Sequence, residues 1–289
     1  VPVFVDIRPQ DMNLNTRLIE AAVTPATRAI APMHYGGMAC RMEAILALAE
    51  AYGLAVVEDA AQGLLSAYRG RSLGIWGDLG CLSFHNSKHF TMGEGGALLL
   101  RDSSLLDRAE IIRQKGADID RFRRGQADKY RWQGLGSSYV ASELNTACLL
   151  PQLRRAEQSV AELRALWASY DRALRPLAAM GLIQTPCPLN PEGHNAQLYY
   201  LKTRSGDERQ QLADWLRARG IGCASHYQPL HSAPAGQRYG RFVGEDRYTS
   251  QDSSRLLRLP LWRGLSLEQL REVVAAVADF YQEKVTDHG

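Results

Sequence analysis

Residues 81–100 read CLSFHNSKHFTMGEGGALLL and place one lysine, Lys88, in a polar loop that glycines bound. Apolar residues lie on both sides of this loop, and we predict strands over residues 81–84 and 97–100. Glycines beside a strand commonly mark a turn, so the loop is expected to be tight. We therefore predict that Lys88 lies at one edge of a sheet, just beyond the first of these two strands.

An aspartate is predicted at the same edge. Residues 54–57 form a continuous apolar run, typical of a parallel strand covered on both faces, and Asp59 follows at its end. Ligands of open α/β sheets bind beyond the carboxyl ends of the strands. A lysine and an aspartate there suit pyridoxal phosphate, because the amine forms an imine with the cofactor aldehyde and the carboxylate keeps the pyridine nitrogen protonated. Each residue also has a simpler interpretation, a solvated lysine and a helix-capping aspartate.

Composition and charge exclude several classes of protein. The chain has 289 residues, 45% of them hydrophobic and 22% charged, with a net charge of +3. This charge is too small to indicate binding to nucleic acid or to an anionic membrane. Residues 108–131 carry eight lysines and arginines against four acidic residues. That stretch is either a solvated loop or a patch that receives a phosphorylated substrate.

The cysteines indicate the cellular compartment of the protein, and the first residues indicate how much of the large domain is present. Five widely spaced cysteines do not form a disulfide pattern and favour a reducing compartment, so we expect a cytoplasmic protein. Cys81 and Cys148 lie in apolar runs and are expected to be buried. No signal segment or membrane-spanning run is found. The sequence starts at Val1 inside an alternating pattern, residues 1–7, and we expect the large domain to lack its N-terminal segment.

Two domains are predicted, residues 1–175 and residues 176–289. The first alternates strands and helices and ends in a long, mostly helical stretch that Ser142 caps and Pro151 kinks or breaks. The second is a small α+β unit. The predicted elements are a strand at 29–33, a helix at 40–52 closed by Gly53, a helical stretch at 142–177, a loop at 185–193, a strand at 197–203, a helix at 207–219, a strand at 221–227, and a final helix from a capping box at Ser266 to about residue 284.

Two motifs resemble those of a known family. EDAAQ at residues 58–62, and SFH, Lys88 and GEGG within residues 83–96, are similar to the DegT/DnrJ/EryC1/StrS sugar aminotransferases. The resemblance implies the type I (aspartate aminotransferase-like) pyridoxal phosphate fold, an α/β fold with a mostly parallel sheet, helices on both faces and a small C-terminal α+β domain. Further stretches resemble the subgroup that acts on dTDP-4-keto-6-deoxyglucose, namely RRGQADKY at 123–130, GSSY at 136–139, HYQPLH at 226–231 and GEDRYT at 244–249.

The resemblance implies roles for five residues at the cofactor. Lys88 would hold pyridoxal 5′-phosphate as an imine and carry protons during catalysis. Asp59 would bind the pyridine N–H, and Gln62 would contact the ring near its phenolic oxygen. Ser83 would bind the phosphate. Ser138 aligns with an asparagine that, in much of the family, reaches the phosphate from the partner subunit of a homodimer. The family's N-terminal phosphate loop and stacking aromatic ring have no counterpart in these residues.

Four residues are expected near the nucleotide sugar. His226, Tyr227 and His231 match the substrate edge of the family's site, although the histidines could instead serve loop packing. His34 resembles a residue near the family's active site, and a structural hydrogen bond is an alternative for it. A zinc site that adds Cys223 to the two histidines lacks a fourth ligand and the usual paired spacing, so we predict no metal.

The expected reaction is transamination of dTDP-4-keto-6-deoxy-D-glucose with L-glutamate to dTDP-4-amino-4,6-dideoxygalactose, for surface polysaccharide of the enterobacterial common antigen type. Relatives that remove a 3-hydroxyl carry histidine in place of Lys88, so its retention favours transamination. A C3 transaminase, a 3-dehydratase or a non-catalytic relative stays open. A nicotinamide-binding enzyme is excluded, because GEGG precedes a strand instead of joining a strand to a helix.

Overall fold

The computed structural model describes residues 1–286. The strands are β1 (Val3–Phe4), β2 (Ala29–Ile30), β3 (Ala55–Asp59), β4 (Ala67–Tyr68), β5 (Arg71–Ser72), β6 (Leu79–Ser83), β7 (Gly96–Leu100), β8 (Tyr199–Lys202), β9 (Arg241–Phe242) and β10 (Leu256–Leu259). The helices are α1 (Ile19–Ala22), α2 (Met42–Tyr52), α3 (Leu106–Arg113), α4 (Ile119–Arg123), α5 (Glu143–Leu153), α6 (Ala156–Ala179), α7 (Gly206–Ala218), α8 (Pro234–Tyr239), α9 (Thr249–Arg255) and α10 (Leu267–Thr286). Among these residues, no helix is both long and apolar enough to cross a bilayer.

The central sheet has four strands in the order β2-β3-β6-β7. The pairs β2–β3 and β3–β6 are parallel, whereas β6–β7 is antiparallel. The mostly parallel sheet predicted from the sequence is therefore confirmed. The last pair runs the other way: the Lys88 loop, residues 84–95, contains no helix and returns the chain beside β6.

Helix α2 covers one face of this sheet. Met42 and Ile45 are fully buried and pack in one core cluster with Val56 of β3 and Trp76. Gly53 ends the helix in the left-handed conformation, with φ of 61°, as predicted. The opposite face is partly open, so that Leu98 of β7 is 52% exposed.

The expected burial of two cysteines is wrong. Cys81 lies on the open face of the sheet, opposite Leu98, and is exposed. Cys148 lies on α5 and is also exposed. An apolar run in a sequence indicates a strand or helix but does not say which face of the element is covered.

The helical stretch predicted at residues 142–177 is two helices, α5 and α6. Ser142 caps α5 by accepting a hydrogen bond from the backbone N–H of Asn145 at 3.2 Å, as predicted. Helix α5 runs through Pro151 and ends at Leu153, and α6 begins at Ala156 after Arg154 and Arg155. The predicted boundary between the two domains falls in the last turn of α6.

A second core unites α6, α7, α10 and the antiparallel pair β8–β10. The capping box is confirmed, since Ser266 and Gln269 each accept a hydrogen bond from the other's backbone N–H, at 3.1 and 3.0 Å. The strand predicted at residues 221–227 is wrong. Of residues 221–227, only Ala224 forms a bridge, to Arg258 of β10, which also pairs with β8.

Candidate active site

A pocket of about 460 Å³ lies between the central sheet and residues 176–286, which we call the C-terminal unit. Its volume falls within the ordinary range for small-molecule sites. The residues that line it are Gln62, Ser83, His85, Ser87, Lys88, Gln197, Leu198, His226, Tyr227 and Arg258. Lys88, Gln62 and Ser83, expected at the cofactor, are thus brought together with His226 and Tyr227, expected at the sugar.

Buried side chains fix the loop that carries Lys88. Phe84, Phe90 and Met92, on either side of the lysine, pack into one core cluster with α5 and α6. The side chain of Gln152 on α5 accepts a hydrogen bond from the Thr91 N–H and donates one to the Thr91 carbonyl, at 3.1 and 2.8 Å. The apolar side chains and the two Gln152 hydrogen bonds therefore fix both ends of the loop, and Lys88 lies between them.

Lys88 is half-buried, and its amine has a lowered pKa. Burial lowers its pKa, and the positive charge of Arg258 lowers it further, while the Asp59 carboxylate acts in the opposite direction. A lowered pKa raises the fraction of neutral amine, the nucleophilic form. Lys88 lines the pocket, close enough to Asp59 for the carboxylate to act on its pKa.

Asp59 ends β3 beside the pocket. Its backbone N–H donates to the Pro32 carbonyl at 2.9 Å, and its own carbonyl accepts from the His34 N–H at 3.1 Å. These bonds fix the end of the strand against the neighbouring β2 segment. Its carboxylate accepts a hydrogen bond from the Ala61 N–H at 3.1 Å and acts on the pKa of Lys88. The two predicted residues are thus electrostatic neighbours.

Gln62 has a fixed orientation at the pocket wall. Its side-chain oxygen accepts a hydrogen bond from the Gly36 N–H at 2.6 Å, so the amide nitrogen faces away from that turn. Burial raises the pKa of the Tyr227 phenol, while the charge of Arg258 and a hydrogen bond with the Gln62 side chain act in the opposite direction. The Gln62 side chain can therefore donate into the pocket, as contact with a phenolic oxygen requires.

The two serines expected at the phosphate lie apart. Ser83 lines the pocket at the end of β6, and its hydroxyl accepts a hydrogen bond from the His85 N–H at 3.3 Å. Ser138 is exposed, pairs with Gln114 after α3, and does not line this pocket. Within one chain, only Ser83 of the pair can meet a ligand beside Lys88.

His34 lies inside the protein and has no exposed surface. Its Nε2 lies 2.9 Å from the Glu58 carboxylate, and its Nδ1 accepts from the Cys40 N–H at 3.2 Å. Glu58 also accepts the N–H groups of Gly74, Trp76 and Gly77 at 2.9, 2.5 and 2.7 Å. These contacts fit the structural hydrogen bond considered for His34, and they leave it no surface for a substrate.

The other two histidines have different surroundings. His226 is buried, its Nδ1 lies 3.0 Å from the Tyr35 hydroxyl, and burial with nearby Arg258 and Lys88 lowers its pKa to about 3. It is therefore neutral in ordinary conditions, with Nε2 left for a ligand. His231 lies outside the pocket lining, and its Nε2 is 2.8 Å from the Asp246 carboxylate. Its contacts fit loop packing.

Sequence reasoning missed Arg258 and Gln197. Arg258 lies on β10 and lines the pocket, and its Nε is buried without a hydrogen-bond partner. A buried unpaired donor is costly, which marks a place for an acceptor. The signal was present, since Arg258 interrupts an apolar run, LLRLPLW at residues 256–262. Gln197 carries no comparable signal in the sequence.

A larger groove of about 880 Å³ lies away from Lys88, between α3 and the stretch after α4. Its lining includes Ile111, Ile112, Leu135 and Tyr139, and Leu135 is 92% exposed. In the basic stretch beside it, Arg113 pairs with Asp120, and Arg124 makes two 2.7 Å bonds to Glu110. Nearby carboxylates thus neutralise part of the positive charge.

The pocket fits pyridoxal phosphate. It combines an amine of lowered pKa, a nearby carboxylate, hydroxyl groups of Ser83 and Ser87, and an arginine donor without a partner. Lys88, Asp59, Gln62 and Ser83 would hold the cofactor. Within residues 1–286, no group of three or more His, Cys, Asp or Glu side chains is arranged to hold a metal ion.

Known proteins match nearly the whole chain. A sequence model of the DegT/DnrJ/EryC1/StrS aminotransferase family matches residues 1–278. The spore coat polysaccharide biosynthesis protein SpsC of Bacillus subtilis (strain 168) is 32% identical over 286 residues, 96% of this chain and 73% of that protein. The aminotransferase TlmJ from Streptoalloteichus hindustanus superposes with a TM-score of 0.87 at 27% identity, over 98% of this chain and 74% of TlmJ. NtdA from Bacillus subtilis, solved with bound cofactor PMP, superposes at 0.84 with 25% identity, over 98% of this chain and 63% of NtdA.

Proposed function

The chain belongs to the DegT/DnrJ/EryC1/StrS aminotransferase family, and we propose that it transfers an amino group from L-glutamate to dTDP-4-keto-6-deoxy-D-glucose. It is a pyridoxal-phosphate-dependent aminotransferase, like other members of the family. The product would be dTDP-4-amino-4,6-dideoxygalactose, used for cell-surface polysaccharide of the enterobacterial common antigen type. We place the protein in the cytoplasm, because its five cysteines are free thiols.

The observation that carries the proposal is the meeting of Lys88, Gln62 and Ser83 in one pocket, with Asp59 close enough to act on the lysine. The choice of sugar rests on the stretches at residues 123–130, 136–139, 226–231 and 244–249, which resemble the subgroup that acts on this keto sugar. The relative SpsC is a spore coat polysaccharide biosynthesis protein, which supports a role for the product in cell-surface polysaccharide.

The chain's own residues would perform the proton transfers. When bound, pyridoxal phosphate supplies an electron sink for charge at the carbon next to the transferred nitrogen. Lys88 would take the proton from the donor's α-carbon and deliver it to C4′ of the cofactor. Asp59 would hold a proton on the pyridine nitrogen, and Gln62 would donate its amide N–H to the phenolic oxygen. The second half-reaction, with the keto sugar, would use the same groups in reverse.

His226 and Tyr227 would form the sugar side of the pocket. His226 is neutral and its Nδ1 faces the Tyr35 hydroxyl, so Nε2 can exchange a hydrogen bond with a sugar hydroxyl. Tyr227 is 54% exposed, which leaves its ring free to contact a ligand at the pocket mouth. A neutral imidazole and a phenol suit an uncharged sugar better than a carboxylate.

The product distinguishes the proposal from its rivals. The protein, loaded with pyridoxal phosphate, is incubated with L-glutamate and dTDP-4-keto-6-deoxyglucose, and the sugar is analysed by mass spectrometry and NMR. An amine at C4 with the galacto configuration is expected. An amine at C3, or loss of the 3-hydroxyl, would assign one of the other sugar chemistries. An intact keto sugar with the cofactor bound would favour a non-catalytic relative.

Arg258 would bind the α-carboxylate of glutamate. In an amino acid this carboxylate is on the carbon that carries the amine, so its counter-ion must lie near Lys88. Arg258 does so, since its charge lowers the pKa of Lys88, and its buried Nε has no partner.

Arg258→Gln is expected to raise KM for glutamate about 10- to 100-fold, the range of a charge-assisted hydrogen bond. KM for the keto sugar should change little, as measured by initial rates with each substrate varied. The apoprotein gives a second readout. Loss of the arginine charge raises the pKa of Lys88, so the midpoint for cofactor attachment should move to higher pH. Arg263→Gln, just after β10, is the matched control, and equal changes in both KM values would contradict the assignment.

We further propose that the larger groove is covered by a second copy of the chain. Exposed apolar side chains concentrate around it, with Leu135 92%, Trp132 79% and Tyr139 68% exposed, and such patches commonly mark interfaces. Ser138 lies in the same stretch, so dimerisation could bring it to the Lys88 pocket of the other copy. This would account for its absence from the pocket of its own chain.

Leu135→Glu is expected to convert a dimer into a monomer, because it places a charge in the centre of the apolar patch. Sedimentation velocity over a range of protein concentrations measures the change. Leu267→Glu, which charges a 54% exposed leucine at the start of α10, should leave the dimer intact. A wild-type protein that is monomeric at micromolar concentration would contradict this proposal.

A further inference from the structure

Asn195 ties the C-terminal unit to the turn that carries Gln62. Its side chain is buried, and its Nδ2 donates hydrogen bonds to the carbonyls of Gln62 and Leu64, both at 2.8 Å. Its Oδ1 accepts the backbone N–H of Gln197 at 2.9 Å. Both amide hydrogens and the oxygen are therefore used, which fixes the orientation of the side chain.

The backbone beside Asn195 has an uncommon conformation. Ala196 is fully buried and has φ of 55°, in the left-handed region that residues other than glycine rarely adopt. Such a conformation persists where surrounding contacts determine it, often at functional sites. The turn closes the bond between Asn195 and Gln197, and the next two residues, Gln197 and Leu198, line the Lys88 pocket.

Asn195 also lies against the turn that holds the other end of Gln62. A Cβ atom on Gly37 would lie 2.0 Å from the Asn195 Oδ1, so only glycine allows this approach. The neighbouring Gly36 donates its N–H to the Gln62 side-chain oxygen at 2.6 Å. Gln62 is thus held twice, at its backbone carbonyl by Asn195 and at its side chain by Gly36.

We propose that Asn195 is a positioning residue for Gln62. By holding the Gln62 carbonyl, it sets the direction in which the Gln62 amide N–H enters the pocket, and it does so from the part of the chain that also supplies Gln197 and Leu198. Loss of the side chain would remove the donor from the buried Gln62 carbonyl and from the partly buried Leu64 carbonyl, and the turn would move to satisfy them. The inference rests on the proposed contact between Gln62 and the cofactor ring.

A double-mutant cycle tests this role. The variants are Asn195→Ala, Gln62→Ala and the two combined, and the readouts are the Kd for pyridoxal phosphate and the pH midpoint of the visible band of the bound cofactor. Each single variant is expected to raise Kd about five- to tenfold, as for loss of one buried hydrogen bond. The double variant should be no more than about twofold weaker than Gln62→Ala, because coupled residues are not additive. The pH midpoint should move in the same direction in all three variants.

Asn190→Ala is the matched control, since Asn190 lies in the preceding loop and its Nδ2 reaches only the Ala67 carbonyl, at 3.4 Å. It should leave both readouts unchanged. If Asn195→Ala does not fold, Asn195→Ser replaces it, because the shorter hydroxyl can keep the Gln197 bond without reaching Gln62.

Two results would overturn the role of Asn195. In the first, the effects of Asn195→Ala and Gln62→Ala multiply, or Asn195→Ala matches wild type while Gln62→Ala does not. The proposed function is then untouched. In the second, Gln62→Ala itself leaves Kd and the midpoint unchanged, which also removes the proposed contact with the ring. The product assay shows separately whether transamination survives.

Discussion

Replacing Lys88 with alanine is expected to abolish covalent attachment of pyridoxal phosphate and to lower kcat at least about 10³-fold, because the base that moves the proton is lost. Borohydride treatment followed by peptide mass spectrometry should find the cofactor on Lys88 in the wild type and on no residue in the variant. Stopped assays with glutamate and the keto sugar measure the loss of turnover.

The Lys88→Arg variant tests whether Lys88 is needed as a nucleophile or only as a positive charge. Arginine keeps the positive charge but cannot be deprotonated in a protein, so this variant should fail as completely as the alanine variant. Lys284→Ala is the control, because Lys284 lies on α10 and bonds Gln211, away from the pocket. A borohydride-stable adduct on another lysine of the wild type, with normal turnover in Lys88→Ala, would refute the assignment of Lys88.

Asp59→Asn is expected to lower kcat about 10²-fold or more while leaving the cofactor attached. A carboxylate beside a cation raises the cation's pKa by about 1 to 3 units, so its loss lets the pyridine nitrogen lose its proton and weakens the electron sink. The variant should therefore give a borohydride-stable adduct on Lys88 but little product, in contrast to Lys88→Ala.

The pH dependence of attachment supplies a second readout for Asp59. The Asp59 carboxylate raises the pKa of Lys88, so its removal lowers that pKa, and more neutral amine is present at a given pH. The midpoint for attachment to the Asp59→Asn apoprotein should move to lower pH, opposite to Arg258→Gln. Asp102→Asn, at an exposed turn cap, is the control. Wild-type kcat in Asp59→Asn would show that the carboxylate does not act on the ring.

The ends of two strands could be predicted from the sequence, because an apolar run stops there and polar residues follow. The apolar runs before Asp59 and Lys88 indicate neighbouring strands, and the structure places β3 beside β6 as expected. The antiparallel direction of β7 does not follow from its apolar run, because a run indicates a strand but not its direction. The strand predicted at residues 221–227 failed because its pairing depends on β10, a distant partner that local periodicity does not reveal.

The far wall of the pocket could not be predicted in the same way. Gln197 and Asn195 reach the site through packing of the C-terminal unit on the sheet, and their sequence neighbours do not indicate that contact. Arg258 does interrupt an apolar run, but the run does not show which pocket the arginine enters. His34 shows the opposite case. It follows a strand end as Asp59 does, yet Glu58 draws it into the interior. A sequence motif can therefore show that a residue lies at the end of a strand. It does not show whether the side chain faces the pocket or the interior, because that depends on residues distant in sequence.

The pocket is built from two walls that are separate in sequence. Lys88, Gln62 and Ser83 come from the first hundred residues, whereas His226, Tyr227 and Arg258 come from the last hundred. The second wall also acts on the first, because Arg258 lowers the pKa of Lys88 and Asn195 holds the Gln62 carbonyl. An engineer who wants a different amino sugar would therefore vary the loop that carries His226 and Tyr227 and keep Arg258 and Asn195 in place.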